Sequence, residues 1–244
     1  MDDLALARHL AAEAGRILMD LRAARTHEGK ALGCEGDARA NAFLMAQIAQ
    51  HRPDDGVLSE ETADTPARLG KSRVWIIDPL DGTREYGEGR ADWAVHVGLA
   101  IDGKAVLGAV ALPGEDLVLD SGGVGVMPAM AAVPRLLVSR SRPAHEAVEV
   151  ARAIGGELLP MGSAGAKAMA VVRGQAEIYL HSGGQYEWDN CAPVAVAAGA
   201  GLHVSRIDGA PLVYNNADTW LPDVLICRPE WADRVLEEVA RIGD

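Results

Sequence analysis

Apolar residues recur at helical spacing from the start of the chain. Leu4, Leu10, Ala14, Ile17, Leu18 and Leu21 fall on one face, which predicts an opening amphipathic helix. A second helix is expected from Asp37, read as its N-cap, to about residue 50, with Leu44 and Ile48 inward. Residues 57–59 and 74–78 read as strands. Residues 94–101 and 104–112 flank Asp102-Gly103, which is a hairpin signal with turn residues in place. Beyond position 134 strands and helices alternate: strands at 136–139, 177–181, 202–205 and 224–227, and helices at 144–154, 166–172, 189–198 and 231–242. This alternation predicts a layered α/β architecture. A Gly/Ala/Pro-rich stretch at 122–134 marks the expected seam between an N-terminal half, residues 1–132, and a C-terminal half, residues 133–244.

Composition narrows the function. The 244 residues are enough for a full core, and 49% of them are hydrophobic while only 4% are aromatic. The formal charge of −12 argues against a nucleic-acid or anionic-membrane surface. An anionic small substrate remains compatible, because bound cations invert a local field. Cys34, Cys191 and Cys227 are far apart, so neither a zinc site nor a disulfide framework is expected, and a reduced cytoplasmic setting fits. The charged N-terminus does not read as a signal peptide, and no apolar run reaches the ~20 residues needed to span a membrane.

The densest chemistry lies in WIIDPLDGTREY, residues 75–86, with LSEE just upstream at 58–61. An apolar run carries Asp78 to a strand end, where an unpaired carboxylate is costly. Asp81 follows three residues later, then Gly82 and Thr83, which suit a tight turn into a short helix. Hard cations take oxygen ligands and phosphate favours exposed helix N–H groups, so D-x-x-D-G-T reads as a magnesium site that handles phosphate. Taken alone, Glu60 and Glu61 read as a solvated acidic turn. The D-x-D spacing of aspartyl-phosphate phosphatases is absent. Gly70-Lys71-Ser72 lacks the leading glycine of a P-loop, since position 65 is Thr. The seven histidines are scattered and suggest no ligand set.

With Ser59-Glu60-Glu61, residues 75–83 and Trp188-Asp189 in place, the chain resembles the inositol-monophosphatase-like family of magnesium-dependent, lithium-sensitive phosphatases along nearly its whole length. The resemblance implies an αβαβα sandwich and homodimers in many members. It also implies two or three Mg2+ ions: Glu60, Asp78 and the Leu80 carbonyl on one, and Asp78, Asp81 and Asp189 on another. Asp37 and Thr83 would orient the attacking water, although the sequence around Asp37 departs from the usual T-x-x-D pattern. Gly82 and Thr83 N–H groups would cradle the phosphate.

Arg84-Glu85-Tyr86 after D-G-T, the V-S-R-S-R run at 138–142 and Gly162-Ser163 with Lys167 are similar to the 3′(2′),5′-bisphosphate nucleotidase branch. The expected activity is therefore hydrolysis of 3′-phosphoadenosine 5′-phosphate to AMP in sulfate assimilation. Arg140, Arg142, Ser163, Lys167 and Asp189 would contact that small-molecule substrate, with Gln185, Tyr186 and Trp188 bordering the nucleoside. The alternatives are an inositol-1-phosphate or fructose-1,6-bisphosphate phosphatase of the same fold, and a non-catalytic phosphate-binding homologue.

Overall fold

The computed structural model describes residues 1–123 and 129–242. Part of the seam expected at 122–134 lies outside the described residues. Helices α1 (Asp3–Ala24) and α2 (Gly29–His51) come first, followed by strands β1 (Gly56–Ser59) and β2 (Arg73–Asp81), the one-turn helix α3 (Thr83–Gly87), and strands β3 (Ala94–Ile101), β4 (Lys104–Leu112) and β5 (Leu117–Asp120). The second part comprises β6 (Arg135–Ser139), α4 (His145–Ile154), β7 (Glu157–Met161), α5 (Ala164–Val172), β8 (Ile178–Tyr186), α6 (Glu187–Gly199), β9 (His203–Ser205), β10 (Trp220–Cys227) and α7 (Pro229–Ile242).

Two five-stranded sheets result. The first runs β1-β2-β3-β4-β5, with only the β1–β2 pair parallel. The second runs β7-β6-β8-β10-β9, parallel across β7, β6 and β8 and antiparallel beyond. The boundary placed at 132/133 falls between β5 and β6.

The apolar faces stack these elements into layers. Leu6, Leu10, Leu18 and Leu44 of α1 and α2 pack with Trp75, Ile77 and Val97 on one face of the first sheet. Val110 on its other face joins Met169 of α5, Val196 of α6 and Ile226 of the second sheet. Leu136 and Leu225 on the far face of the second sheet pack with Val150 of α4 and Val235 of α7. The order is thus αβαβα, as expected.

Several boundaries differ from the pattern-based ones. Asp37 is not an N-cap: α2 begins eight residues earlier, at Gly29. Its early turns are glycine-rich because they lie against neighbours. A Cβ on Gly33 would meet the Thr83 methyl at 2.5 Å, and one on Gly36 would meet Leu18 at 2.9 Å and Leu80 at 3.1 Å. Tertiary packing here overrides the weak helix propensity of glycine. β2 continues past Asp78 to Asp81, and β5 and β7 are additional strands. β7 was missed because it is a sheet edge, with Glu157, Leu158 and Pro160 exposed and no burial alternation to read.

Candidate active site

The buried strand β2 ends at the site. Pairing with β3 shifts register between Asp78 and Asp81, so a bulge containing Pro79 interrupts the ladder. Residues three apart on a regular strand face opposite sides. The bulge removes that constraint, and carboxylate oxygens of Asp78, Asp81 and Asp189 lie within 4.8 Å of one another. Gly82 then takes a left-handed φ of +88° to turn the chain into α3. The Thr83 hydroxyl donates to the Leu80 carbonyl at 3.1 Å, and the Leu80 N–H donates to Asp78 Oδ1 at 3.0 Å.

The second sheet's helices complete the cluster. Asp189 sits in the first turn of α6 and accepts the Tyr186 N–H at 2.6 Å. Ser163 caps α5, accepting the Ala166 N–H at 2.9 Å, and its hydroxyl also donates to Asp81 Oδ2 at 2.5 Å. Asp81 further accepts the N–H groups of Ala164 and Gly165 at 3.1 and 2.6 Å. It therefore ties the end of β2 to the positive end of α5. Lys167 is buried, and its Nζ donates to the Gly162 and Ser163 carbonyls at 3.1 and 2.5 Å and stands 5.3 Å from the Tyr179 ring centroid.

The carboxylates are not alike. Asp78 is pushed well above its ordinary range by burial and by the charges of Glu60, Asp81 and Asp189. Burial, then the charge of Asp81, raises Asp189 to about 6. Asp81 is just as buried, yet it is held down to about 2. Burial pushes it up, but His96, the Ser163 hydroxyl and the Lys167 charge more than offset that. His96, fully buried, was not singled out by its position in the sequence. Its Nε2 lies 3.2 Å from Asp81 Oδ2, a charge contact off the hydrogen-bonding line, while Nδ1–H donates to the Trp188 carbonyl at 3.0 Å. Gly165 is the signal that could have revealed it, since any Cβ there would stand 2.0 Å from that Nε2.

Two further acidic groups face the cluster. Asp37 projects from inside α2, 7% exposed, and its Oδ1 is buried with no hydrogen-bond partner. Burial, then the charges of Glu61 and Glu60, push it up to about 7, with the Thr83 hydroxyl acting in the opposite direction. Glu60 follows β1, whose Ser59 hydroxyl is anchored on Asn41 of α2 at 2.8 Å. Glu60 keeps open surface, but the protein crowded around its carboxylate and the Asp189 charge raise it to about 7.

This donor set fits hard divalent cations. It is all oxygen, it is unbalanced enough to push four of its acids upward, and it includes one orphaned buried oxygen. Glu60 and the Leu80 carbonyl border the same cluster, whereas Asp37 stands on its Thr83 side.

A cavity of about 350 Å³ opens beside Asp81, Gly82 and Asp189, and Arg140, Arg142, Ser163 and Lys167 also line it. Arg140 is held by Glu85 at 2.8 Å and Glu88 at 3.0 Å, whereas the Arg142 guanidinium has no partner among the described residues. Glu85 also presses on Gly162, where a Cβ would come within 2.4 Å. Three separate sequence marks, around Glu85, Arg140 and Gly162, are thus one contact. Gln185 and Tyr186 line the cavity, and Tyr186 stacks on Trp188 with centroids 4.8 Å apart.

Known proteins resemble the chain in both sequence and fold. The inositol monophosphatase family model matches residues 2–243. The chain is 43% identical to the 3′-phosphoadenosine 5′-phosphate phosphatase of Mycobacterium leprae, over 99% of this chain and 95% of that protein. It is 32% identical to the 3′(2′),5′-bisphosphate nucleotidase CysQ of Escherichia coli, over 76% of this chain and 80% of that protein. An Anabaena inositol monophosphatase structure superposes with a TM-score of 0.79 at 22% identity, covering 98% of this chain and 95% of that one. With the bulged D-P-L-D-G-T strand end and the Trp-Asp helix start meeting beside one cavity, and with that match from end to end, the chain belongs to the inositol monophosphatase family.

Proposed function

We propose that the chain is a magnesium-dependent phosphomonoester hydrolase acting as a 3′(2′),5′-bisphosphate nucleotidase, which converts 3′-phosphoadenosine 5′-phosphate to AMP and phosphate. The observation that carries this reading is the convergence of Asp78, Asp81 and Asp189 beside a cavity that Arg140, Arg142 and Lys167 also line. Relatives bearing that substrate in their names match the chain at 43–45% identity. Mg2+ held by Glu60, Asp78, the Leu80 carbonyl, Asp81 and Asp189 would neutralise the carboxylates and stabilise developing charge on attacking and leaving oxygens.

The chain's own residues do the rest. Asp37 and the Thr83 hydroxyl hold the attacking water, and the orphaned Asp37 oxygen is free to accept its proton. Gly82 and Thr83 open α3 with N–H groups that have no intrahelical acceptor and face the reacting phosphoryl group. No covalent nucleophile is needed, and water attacks in line. Arg142 and Lys167, with Arg140 braced by Glu85, face the second phosphate. A site for a small anionic ester fits a cytoplasmic enzyme that clears a sulfate-assimilation product. In this chain, no helix among the described residues is long and apolar enough to cross a membrane.

The test is phosphate release from 3′-phosphoadenosine 5′-phosphate with and without chelator, in the native chain and in Asp78→Asn. Hydrolysis is expected only for the native chain with Mg2+. Release that survives both chelation and the substitution would refute the assignment.

A further inference from the structure

Beneath the cavity floor runs a buried chain of polar side chains with a direction. The Tyr214 hydroxyl donates to Asn190 Oδ1 at 2.9 Å, Asn190 Nδ2 donates to Gln185 Oε1 at 3.3 Å, and Gln185 Nε2 donates to the Tyr179 hydroxyl at 2.8 Å. All four residues are at least nine-tenths buried. An amide group can be turned over, so the opposite direction must be weighed too. In that direction Tyr179 donates inward to Gln185, and the Tyr214 proton is left over. Tyr214 lies in an apolar cluster with Leu58, Ile76 and Leu221, and among the described residues Asn190 is the only hydrogen-bond partner of its hydroxyl. Leaving a buried hydroxyl proton unmet there is costly. The forward direction satisfies Tyr214 and moves the unmet proton to Tyr179, which lines the cavity beside Lys167. Burial raises the Tyr179 phenol well above its ordinary range, so it stays a donor.

We propose that Tyr179 is a substrate-binding residue: its hydroxyl donates to an oxygen of the bound phosphate ester, and Tyr214, acting through Asn190 and Gln185, is a positioning residue that fixes the direction of that donor. The inference rests on the cavity being the substrate site. An anionic oxygen is the complement of a phenol proton in a cavity that the Lys167 ammonium also lines, and a chain of like-directed hydrogen bonds strengthens its terminal donor.

The test compares the native chain with Tyr179→Phe and Tyr214→Phe. It measures KM and kcat for 3′-phosphoadenosine 5′-phosphate with Mg2+, and Kd for the same ester by calorimetry. Tyr179→Phe is expected to raise KM and Kd about tenfold with kcat little changed, because the lost bond serves ground and transition states alike. Tyr214→Phe frees Asn190 and Gln185 to turn over and draws the Tyr179 proton inward. It should therefore raise both constants although Tyr179 is intact and residue 214 does not line the cavity. Should Tyr214→Phe fail to fold, Asn190→Leu breaks the same chain at another residue that does not line the cavity and must raise Kd.

Unchanged constants in Tyr179→Phe would overturn the proposal, and unchanged constants in Tyr214→Phe alone would overturn the positioning role. If the native chain binds the ester without hydrolysing it, the proposed activity fails while the Kd comparison still decides this one. A native chain that does not bind the ester would overturn both.

Discussion

Asp81 shows how much one residue carries. It joins the acidic cluster, caps α5, and is the partner of His96 and Ser163. Asp81→Asn should reduce phosphate release at least about a hundredfold, since a neutral amide is a far weaker cation ligand than a carboxylate. The fold should survive at a modest cost: the His96, Ser163 and Lys167 contacts that hold Asp81 low favour its ionised form, so the amide loses on the order of 2 kcal/mol. Circular dichroism would then show native helix content with melting shifted by only a few degrees, and an unfolded variant would contradict this balance. His96 makes a sharper packing prediction. Gly165→Ala places a methyl against the imidazole and should destabilise the chain by about 1–3 kcal/mol in urea unfolding. A neutral result would mean that the ring can move aside. Asp78 and Asp81 were legible in the sequence as a pair because their motif is contiguous, whereas Glu60 and Asp189 were singled out only through the family resemblance. His96 was not, because it comes from a different strand and meets Asp81 only across the β2–β3 pair.

At the scale of elements, the long amphipathic α1 and the β3–β4 hairpin follow directly from their periodicity and turn. The start of α2 does not. Its small residues serve close approach to α3, a requirement that exists only once both are folded. The bulge at Asp78–Asp81 is similar, since proline and spacing hint at a break but register belongs to the pair of strands. Gly82 is where this geometry is most exposed to test. Gly82→Ala forces a left-handed residue and brings a Cβ to 3.2 Å from the β-carbons of both Trp93 and Ser163. It should destabilise by at least about 1–2 kcal/mol and lower kcat as the α3 N–H groups move. Chemical unfolding alongside steady-state kinetics would show both effects, and an unaffected kcat would detach the turn from the chemistry. The substrate marks around Glu85, Arg140 and Gly162 were each legible, but their mutual contact across the two sheets was not.

For the whole molecule, the clustered acids make the metal-free chain sensitive to pH. Asp37 and Glu60 are raised to about 7 and Asp189 to about 6, so the folded state holds protons that the unfolded chain releases near pH 4. Their contribution to stability is full below pH 4 and is lost as pH rises through 6 to 7. Asp81, lowered to about 2, acts oppositely, and its contribution is lost only as pH falls toward 2. Thermal melts with chelator should therefore fall from pH 5 to pH 7.5. Mg2+ should restore the loss more strongly at the higher pH, where the ligands are ionised. A chelated melting temperature that rises over that window would contradict the electrostatic picture.

The account stands most directly on substrate choice. Magnesium-dependent phosphate release should be measured at matched concentrations of 3′-phosphoadenosine 5′-phosphate, inositol-1-phosphate and fructose-1,6-bisphosphate. Arg140, Arg142 and Lys167, set for a second phosphate, predict that kcat/KM for the nucleotide exceeds that for inositol-1-phosphate by about tenfold or more, the value of one well-placed charged hydrogen bond, and Gln185 and Tyr186, set to border the nucleoside, predict a preference over fructose-1,6-bisphosphate as well. Equal or faster turnover of either sugar phosphate would contradict it.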